Sequence, residues 1–152
     1  MDGFHLPQAR LMQLGRRERM GAPDTFDVDG FVRVLGEIRT SGRDVVAPGF
    51  DRTVEESVPG GIRVPRDASI VVTEGNYLLL ATGGWERVRP LMDLALTIEV
   101  EQGARMSRLV ARHELFGKSP EAAVAWASGP DQANADLVAG AAGRADHVVA
   151  LG

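Results

Sequence analysis

At residues 68–75 the chain reads Ala68-Ser69-Ile70-Val71-Val72-Thr73-Glu74-Gly75, a β-branched run that ends in an acid and a glycine. Such an unbroken apolar run is typical of a strand that is buried on both faces of a sheet. Because Glu74 follows the run directly, we expect it at the rim of the sheet, where open α/β sheets hold their ligands. The segment therefore predicts both a buried strand and a candidate site residue.

The rest of the sequence predicts further strands that alternate with helices. A second buried strand is expected at 94–100 and a last strand at 147–151. The segment 52–67 is rich in proline, glycine and charge, and it predicts an excursion or a β-hairpin. Helical spacing and capping residues predict helices at about 27–40, 85–92, 104–116, 119–127 and 131–142. This alternation indicates an α/β fold, a three-layer parallel sheet with helices on both faces.

The composition is that of a globular protein of single-domain size. The 152 residues are 44% hydrophobic and 25% charged, and the formal net charge is −4. Since there is no basic block, nucleic acid is not expected as a partner. Since there is no cysteine, neither disulfides nor thiolate metal sites are expected. No apolar run approaches the roughly 20 residues of a membrane span, and no signal peptide is predicted, so we expect a cytoplasmic protein without a membrane partner.

Three polar residues near predicted strand ends are candidates for chemistry. Asp2 is a candidate general base that accepts the proton of a substrate hydroxyl, or else a turn aspartate bonded to its own backbone. His5 is a candidate substrate contact or a structural hydrogen-bonding residue. Glu74 is a candidate Mg²⁺ ligand, directly or through water, or an acid that caps the next helix. The three histidines have no paired spacing and do not predict a zinc site.

A basic stripe marks the helix predicted at 104–116. Arg105, Arg108 and Arg112 stand at helical spacing, and His113 and Lys118 continue the stripe. Five basic groups on one helix and its exit suit a clamp over polyphosphate, where guanidinium groups bind bidentately. The alternative is a solvated helix face. The opposite face is expected to point inward through Met106, Leu109, Val110 and Phe116.

Five blocks stand in the same order as in a known kinase family. They are Asp2–Leu6, Gly21–Asp27, Ala47–Arg52, Thr73–Leu79, and Arg108–His113 followed by Gly117-Lys118. Each block is weak alone; the turn at 48–52, for example, is either a substrate contact or a plain loop. Taken together the blocks resemble the uridine kinase and pantothenate kinase group of P-loop kinases. They are similar in particular to its bacterial nucleoside/nucleotide kinase-like branch, which includes kinases associated with fructose uptake.

The resemblance implies a function and assigns roles to residues. It implies transfer of a phosphoryl group from ATP to a hydroxyl of a small metabolite, with ATP and Mg²⁺ as cofactors. Asp2 is then the catalytic base near Mg²⁺, and Glu74 helps to hold the metal. The residues implied at the ATP phosphates are Arg105, Arg108, Arg112 and Lys118. The residues implied at the substrate are His5, Phe50, Asp51, Arg52 and Tyr77.

Two departures from the family pattern modify these expectations. No G-x-x-x-x-G-K-[ST] phosphate loop occurs in the 152 residues. We therefore expect one truncated kinase-like domain over 1–152, with a lid-like region at about 105–130, inactive on its own and self-associating through an open sheet edge. The alternative is a non-catalytic remnant that acts as a ligand-binding or interaction module. In addition, Gly21 stands where uridine kinases carry a ribose-binding acid, so a nucleoside acceptor is not expected.

Overall fold

The computed structural model describes residues 1–151, which divide into two compact units, Met1–Asp93 and a second unit that starts at Leu94. The elements of the first unit are α1 (Gln8–Gln13), α2 (Val28–Thr40), β1 (Val45–Asp51) and β2 (Glu56–Val64). Those of the second unit are β3 (Leu96–Val100), α3 (Gln102–Leu115), α4 (Pro120–Ser128), α5 (Pro130–Ala141) and β4 (His147–Leu151). The expected single domain with a lid-like region stays a prediction.

Helix α2 forms where its cap and its apolar spacing predict it. The Asp27 carboxylate accepts a hydrogen bond from the backbone N–H of Gly30 at 2.9 Å, which satisfies one of the free donors of the first turn. Phe31 and Val34 bury the inner face of the helix. The helix ends just before Gly42, which adopts a positive φ of 61°.

Strands β1 and β2 form the hairpin expected near 52–67. They pair antiparallel, with Val45 opposite Val64 and Asp51 opposite Glu56, and the register shifts between Ala47 and Gly49. At this shift the two strands approach so closely that a Cβ on Gly61 would lie 2.8 Å from the backbone of Gly49. Glycine is therefore required where the strands come closest.

An aromatic cluster forms the core of the first unit. The ring centroids of Phe4 and Phe31 are 5.0 Å apart, and those of Phe26 and Tyr77 both lie within 5.9 Å of the Trp85 ring. Buried tyrosine and tryptophan need partners for their polar atoms. The Tyr77 hydroxyl donates to the carbonyl oxygen of Gly21, and Trp85 Nε1 donates to that of Pro23 at 3.1 Å. These bonds anchor the 21–23 segment to the core.

Two predicted elements of the first unit are wrong. The run at 68–73 forms no strand, and the side chains of Ile70 and Val72 are 81% and 86% exposed. A strand exists only where a neighbouring strand pairs with it, and within residues 1–151 none pairs with this run. The helix predicted at 85–92 is instead two 3₁₀ turns, Trp85–Arg87 and Arg89–Leu91. Pro90 has no N–H with which to continue an α-helix.

The second unit has the parallel strand pairing expected of an α/β fold. β3 and β4 are parallel, with Leu96 opposite His147 and Val100 opposite Leu151. Their connection contains α3, α4 and α5, so the alternation of strands and helices is confirmed. β3 is buried on one face only, because Ala95 and Thr97 are buried while Leu96 and Ile98 are exposed.

Helix α3 agrees with the sequence in its bounds but not in every inward residue. The Glu101 carboxylate caps it, accepting from the N–H groups of Gly103 and Ala104 at 2.8 Å each. Phe116, expected to face inward, is exposed. It lies one residue beyond the end of the helix, where the chain has left the helical path. Along the described chain, no helix is both long enough and apolar enough to span a bilayer.

Candidate functional site

The opening loop is fixed against the hairpin by a contact that only glycine permits. Residues Asp2–Phe4 form a 3₁₀ turn, and a Cβ on Gly3 would lie 2.1 Å from the carbonyl oxygen of Pro48. The Ser57 hydroxyl, on β2, donates to the carbonyl oxygen of Gly3. The structure therefore brings the predicted base and the 48–52 turn together, although they are distant in sequence.

Asp2 lies beside a guanidinium group and next to the turn that carries Glu74. One Arg52 nitrogen, Nη2, is 3.4 Å from Oδ2 of Asp2. The backbone nitrogen of Met1 donates a hydrogen bond to the carbonyl oxygen of Glu74 at 2.8 Å. Gly75 leaves room for the side chain of Met1, because a Cβ on residue 75 would be 2.2 Å from the Met1 sulfur. Asp2, Arg52 and Glu74 thus belong to one surface of the first unit.

His5 is held on this surface by aromatic packing and by a backbone hydrogen bond. Its ring centroid is 4.0 Å from that of Phe26 and 5.2 Å from that of Phe50. Its Nδ1 is 2.8 Å from the carbonyl oxygen of Asp2. Burial lowers the pKa of His5, and the hydrogen bond to Asp2 only partly opposes this effect. The imidazole is therefore neutral near pH 7.

Of the other four predicted substrate residues, two lie on this surface, one closes the hairpin turn and one is buried in the core. Phe50 lies beside His5, and Arg52 lies beside Asp2, so both belong to this surface. Asp51 is exposed and accepts a hydrogen bond from the N–H of Thr53 at 2.7 Å, which closes the hairpin turn. Tyr77 does not join them, because it is fully buried in the aromatic core. Its role in the structure is to anchor the 21–23 segment.

The donor set of this surface fits Mg²⁺. The side chains of Asp2 and Glu74 are 44% and 84% exposed, so their oxygen atoms are open to a cation. Mg²⁺ usually keeps several waters and takes one or two carboxylates beside substrate phosphates. Nowhere in residues 1–151 do three histidine or acidic side chains converge into a preformed metal cluster. The two carboxylates therefore suit a metal that is held in part by phosphate.

The basic stripe of the second unit separates into bound and free cations. Arg105 bonds Oε1 of Gln132, Lys118 lies 4.3 Å above the Trp126 ring, and His113 Nε2 is 2.7 Å from Asp131 Oδ2. Through these three contacts, α3 and the segment that follows it are packed against α4 and α5. Arg108 and Arg112 are exposed, and their side chains form no hydrogen bond or ion pair within residues 1–151. Of the predicted stripe, these two guanidinium groups are available to bind an anion.

The first unit also contains a cleft that the sequence did not indicate. Its volume is about 300 Å³, and two ion pairs lie at it, Arg16 with Asp24 at 3.3 Å and Arg87 with Asp29 at 2.5 Å. Leu6 and the 21–27 segment belong to blocks that the sequence marks, but Arg16 and Arg87 belong to no recognisable motif. The lining residues are Leu6, Arg16, Pro23, Asp24, Phe26, Asp27, Val28, Asp29, Gly83 and Arg87.

No protein-family model matches the sequence, but individual relatives do. The chain is 33% identical over 133 residues to the "ATP-dependent kinase-like protein notR'" of Aspergillus versicolor, covering 82% of this chain and 77% of that protein. It is 34% identical to the "Putative uridine kinase C227.14" of Schizosaccharomyces pombe, over 77% of this chain and 52% of that protein. It is 31% identical to a pantothenate kinase of Leifsonia xyli, over 64% of this chain and 31% of that protein. The chain thus spans about half the length of the Schizosaccharomyces pombe relative and less than a third of the pantothenate kinase.

Solved structures agree with these relatives. The crystal structure of a "putative fructose transport system kinase" from Silicibacter sp. TM1040 matches with a TM-score of 0.91 and 36% identity, over 97% of this chain and 71% of that chain. YFH7 from Saccharomyces cerevisiae, described as a "putative P-loop containing kinase with a circular permutation", matches with a TM-score of 0.85, over 99% of this chain and 56% of that chain. At 22% identity the second match shows a shared fold alone.

These matches confirm the α/β fold class and the family that the five sequence blocks predict. The Aspergillus versicolor relative is 33% identical to this chain over an alignment that covers most of both proteins, and the solved kinase structures share the fold of this chain. The chain belongs to the P-loop kinases of the uridine kinase and pantothenate kinase-like group.

Proposed function

We propose that the surface around Asp2 binds a small hydroxyl compound and that the protein transfers the γ-phosphoryl group of ATP to it. One observation carries this proposal. The half-exposed carboxylate of Asp2 lies on a loop that Gly3 fixes against the 48–52 turn, with Arg52 beside it and with the neighbouring Met1 in contact with Glu74. The relatives support the reaction type, because they are named as kinases. Their names differ in substrate, so the acceptor is argued from this chain.

The proposed chemistry assigns Asp2 one task. As the acceptor hydroxyl oxygen attacks the γ-phosphorus, an Asp2 carboxylate oxygen takes the hydroxyl proton. A bond forms between that oxygen and phosphorus, the bond to the β,γ-bridging oxygen breaks, and ADP leaves with the bonding electrons. Arg52, 3.4 Å from Asp2, is placed to hold an acceptor oxygen next to the base. Asp2 and Glu74 would hold Mg²⁺, which when bound would neutralise part of the phosphate charge.

The ATP phosphates are assigned to the free cations of α3. Arg108 and Arg112 have no partner within residues 1–151, and their guanidinium groups match phosphate geometry. Arg105 and Lys118 are already held by Gln132 and Trp126, and they act by keeping α3 and its exit in place. The proposal thus reduces the stripe predicted from sequence to two phosphate-binding residues.

A transfer assay tests this proposal. The full-length natural protein that contains these residues is incubated with Mg²⁺, γ-labelled ATP and a panel that includes D-fructose, uridine and pantothenate. We expect labelled product with at least one small hydroxyl compound. If ATP and an acceptor both bind but no label is transferred, the protein is a ligand-binding module and the proposed transfer is wrong.

A further inference from the structure

We infer that Gln8 is a positioning residue, which fixes the tip of the hairpin and thereby sets Arg52 beside Asp2. The hairpin tip is the segment 52–55, which joins β1 to β2. Gln8 lies outside the five family blocks, and the sequence predicts no role for it. The inference rests on the proposed function only for the task of Arg52, which is to hold an acceptor oxygen next to the base.

The side chain of Gln8 joins the hairpin tip to Arg17. Its Nε2 atom donates to the carbonyl oxygen of Val54 at 3.2 Å and lies 3.5 Å from that of Glu55. Its Oε1 atom accepts a hydrogen bond from Nε of Arg17 at 3.3 Å. Carbonyl oxygens only accept and a guanidinium group only donates, so the two sides require an amide between them. A carboxylate of the same length can bind Arg17 but has no hydrogen to donate to the tip.

The backbone of Gln8 makes a further contact with the hairpin. Gln8 is the first residue of α1, and its N–H group is one of the donors that a helix leaves without a partner in its first turn. The carboxylate of Glu56, at the start of β2, accepts from this N–H group at 3.2 Å. Helix α1 and the hairpin therefore bind each other in both directions, because each offers a side chain to the main chain of the other.

The hairpin tip needs this support because its backbone is strained. Glu55 has a φ of 52°, and within residues 1–151 it is the only residue other than glycine with a positive φ. A residue that carries a Cβ stays in this conformation only where its surroundings hold it there. The surroundings of Glu55 are Gln8, which lies at its carbonyl oxygen, and Arg17, whose Nη2 is 3.8 Å from its Oε2.

Arg52 depends on the hairpin tip for its position. Its side chain is 76% exposed, and within residues 1–151 its only hydrogen bond or ion pair is the 3.4 Å contact with Asp2. Because no other polar group fixes the guanidinium group, it follows the backbone of the tip. A shift of about 1 Å would take it out of hydrogen-bonding distance of Asp2. Misplacement on this scale can slow a reaction by up to about 100-fold.

The first test measures the order of the hairpin tip in the free protein. ¹⁵N relaxation of the full-length natural protein gives order parameters for the backbone amides of 52–55. In Gln8→Ala we expect these to fall toward the values below about 0.6 that are typical of flexible segments. Gln8→Glu, which lacks only the donor, should loosen the tip as well. Gln13→Ala is the matched control in α1, because the side chain of Gln13 bonds only Arg10, and it should leave the tip unchanged.

The second test is a double-mutant cycle with Arg52 in the transfer assay. Gln8→Ala should lower kcat/KM for the acceptor about fivefold, the effect of one lost hydrogen bond, and leave the KM for ATP unchanged. In the Arg52→Ala background the same change should cost less than about twofold, because a residue that acts through Arg52 then has nothing left to position. A residue that only stabilises the fold would cost the same in both backgrounds.

Unchanged order parameters at 52–55 in Gln8→Ala would overturn the inference, and so would an equal loss of kcat/KM in the two backgrounds of the cycle. If the natural protein binds ATP but transfers no phosphoryl group to any acceptor, the proposed function is wrong. A tip that loosens in Gln8→Ala and in Gln8→Glu would still support the inference in that case. The two failures are thus distinguishable.

Discussion

Replacing Gly3 with alanine should destabilise the protein and displace the catalytic loop. The added Cβ would lie 2.1 Å from the carbonyl oxygen of Pro48, 2.6 Å from its carbonyl carbon and 2.8 Å from the carbonyl oxygen of Gly49. All three are backbone atoms of β1, so no side chain can move aside. To reach ordinary contact, the loop must shift by more than about 1 Å, and overpacking of this kind typically costs about 1–3 kcal/mol.

The size of this effect can be measured by thermal unfolding. For a chain of this length, a loss of about 2 kcal/mol lowers Tm by roughly 4–8 °C. Gly36→Ala is the matched control, because it makes the same substitution within α2, where a new Cβ meets nothing within 4 Å. The control should gain roughly 0.5–1 kcal/mol, since alanine is the better helix residue.

The two variants should therefore move Tm in opposite directions. Gly3→Ala should in addition lower phosphoryl transfer in the full-length protein, because Asp2 follows the displaced loop. If Gly3→Ala unfolds at the same temperature as the natural protein, the opening loop does not pack on β1 as described, and the site built on that contact is wrong.

Further predictions concern the basic residues of α3, the proposed metal site and the N-terminal cap of α3. Arg112→Ala should raise the KM for ATP and lower kcat together without changing Tm, because the side chain is free; a large change in Tm would show a structural role. Arg105→Ala, which removes the contact with Gln132, should instead lower Tm. Glu74→Gln should mainly raise the Mg²⁺ concentration needed for half-maximal rate; an unchanged Mg²⁺ dependence would remove Glu74 from the metal site. Hydrogen bonds from two backbone N–H groups of α3 hold the pKa of Glu101 below its usual 4.5. The stabilisation by this cap is therefore present above pH 4.5 and is lost as pH falls through the lower folded-state value; Glu101→Gln should flatten that acid dependence of Tm, and an identical pH profile would contradict the capping role.

Elements determined by short-range signals could be predicted from sequence. Asp27 caps α2 and Ser119 caps α4, each through its own side chain and a nearby N–H group, so neither depends on the rest of the chain. Helix α5 has no side-chain cap, but Gly129 and Pro130 mark its start in the sequence. The family blocks likewise indicated Asp2 and Glu74, and the structure brings them to one surface.

Features that depend on distant residues could not be predicted. The run at 68–73 has strand composition, but pairing requires a neighbour that its own sequence does not specify. Tyr77 belongs to one of the five family blocks, yet its position is determined by the Phe26 and Trp85 rings, which pack around it. The sequence of α3 could not show that Arg105 and Lys118 are held in place, because their partners Gln132 and Trp126 belong to other helices. The contact of His5 Nδ1 with the carbonyl oxygen of Asp2 is likewise one that no sequence pattern encodes.

The most direct test of the central claim is the turnover of Asp2→Asn in the full-length natural protein. The amide keeps the shape of the side chain but cannot take the substrate proton, so we expect kcat to fall by about 10²–10⁴-fold with the affinity for ATP nearly unchanged. Asp67→Asn, an exposed acid away from the site, is the control and should retain normal kcat. A near-normal kcat for Asp2→Asn would show that Asp2 is a structural turn residue and would contradict the catalytic assignment.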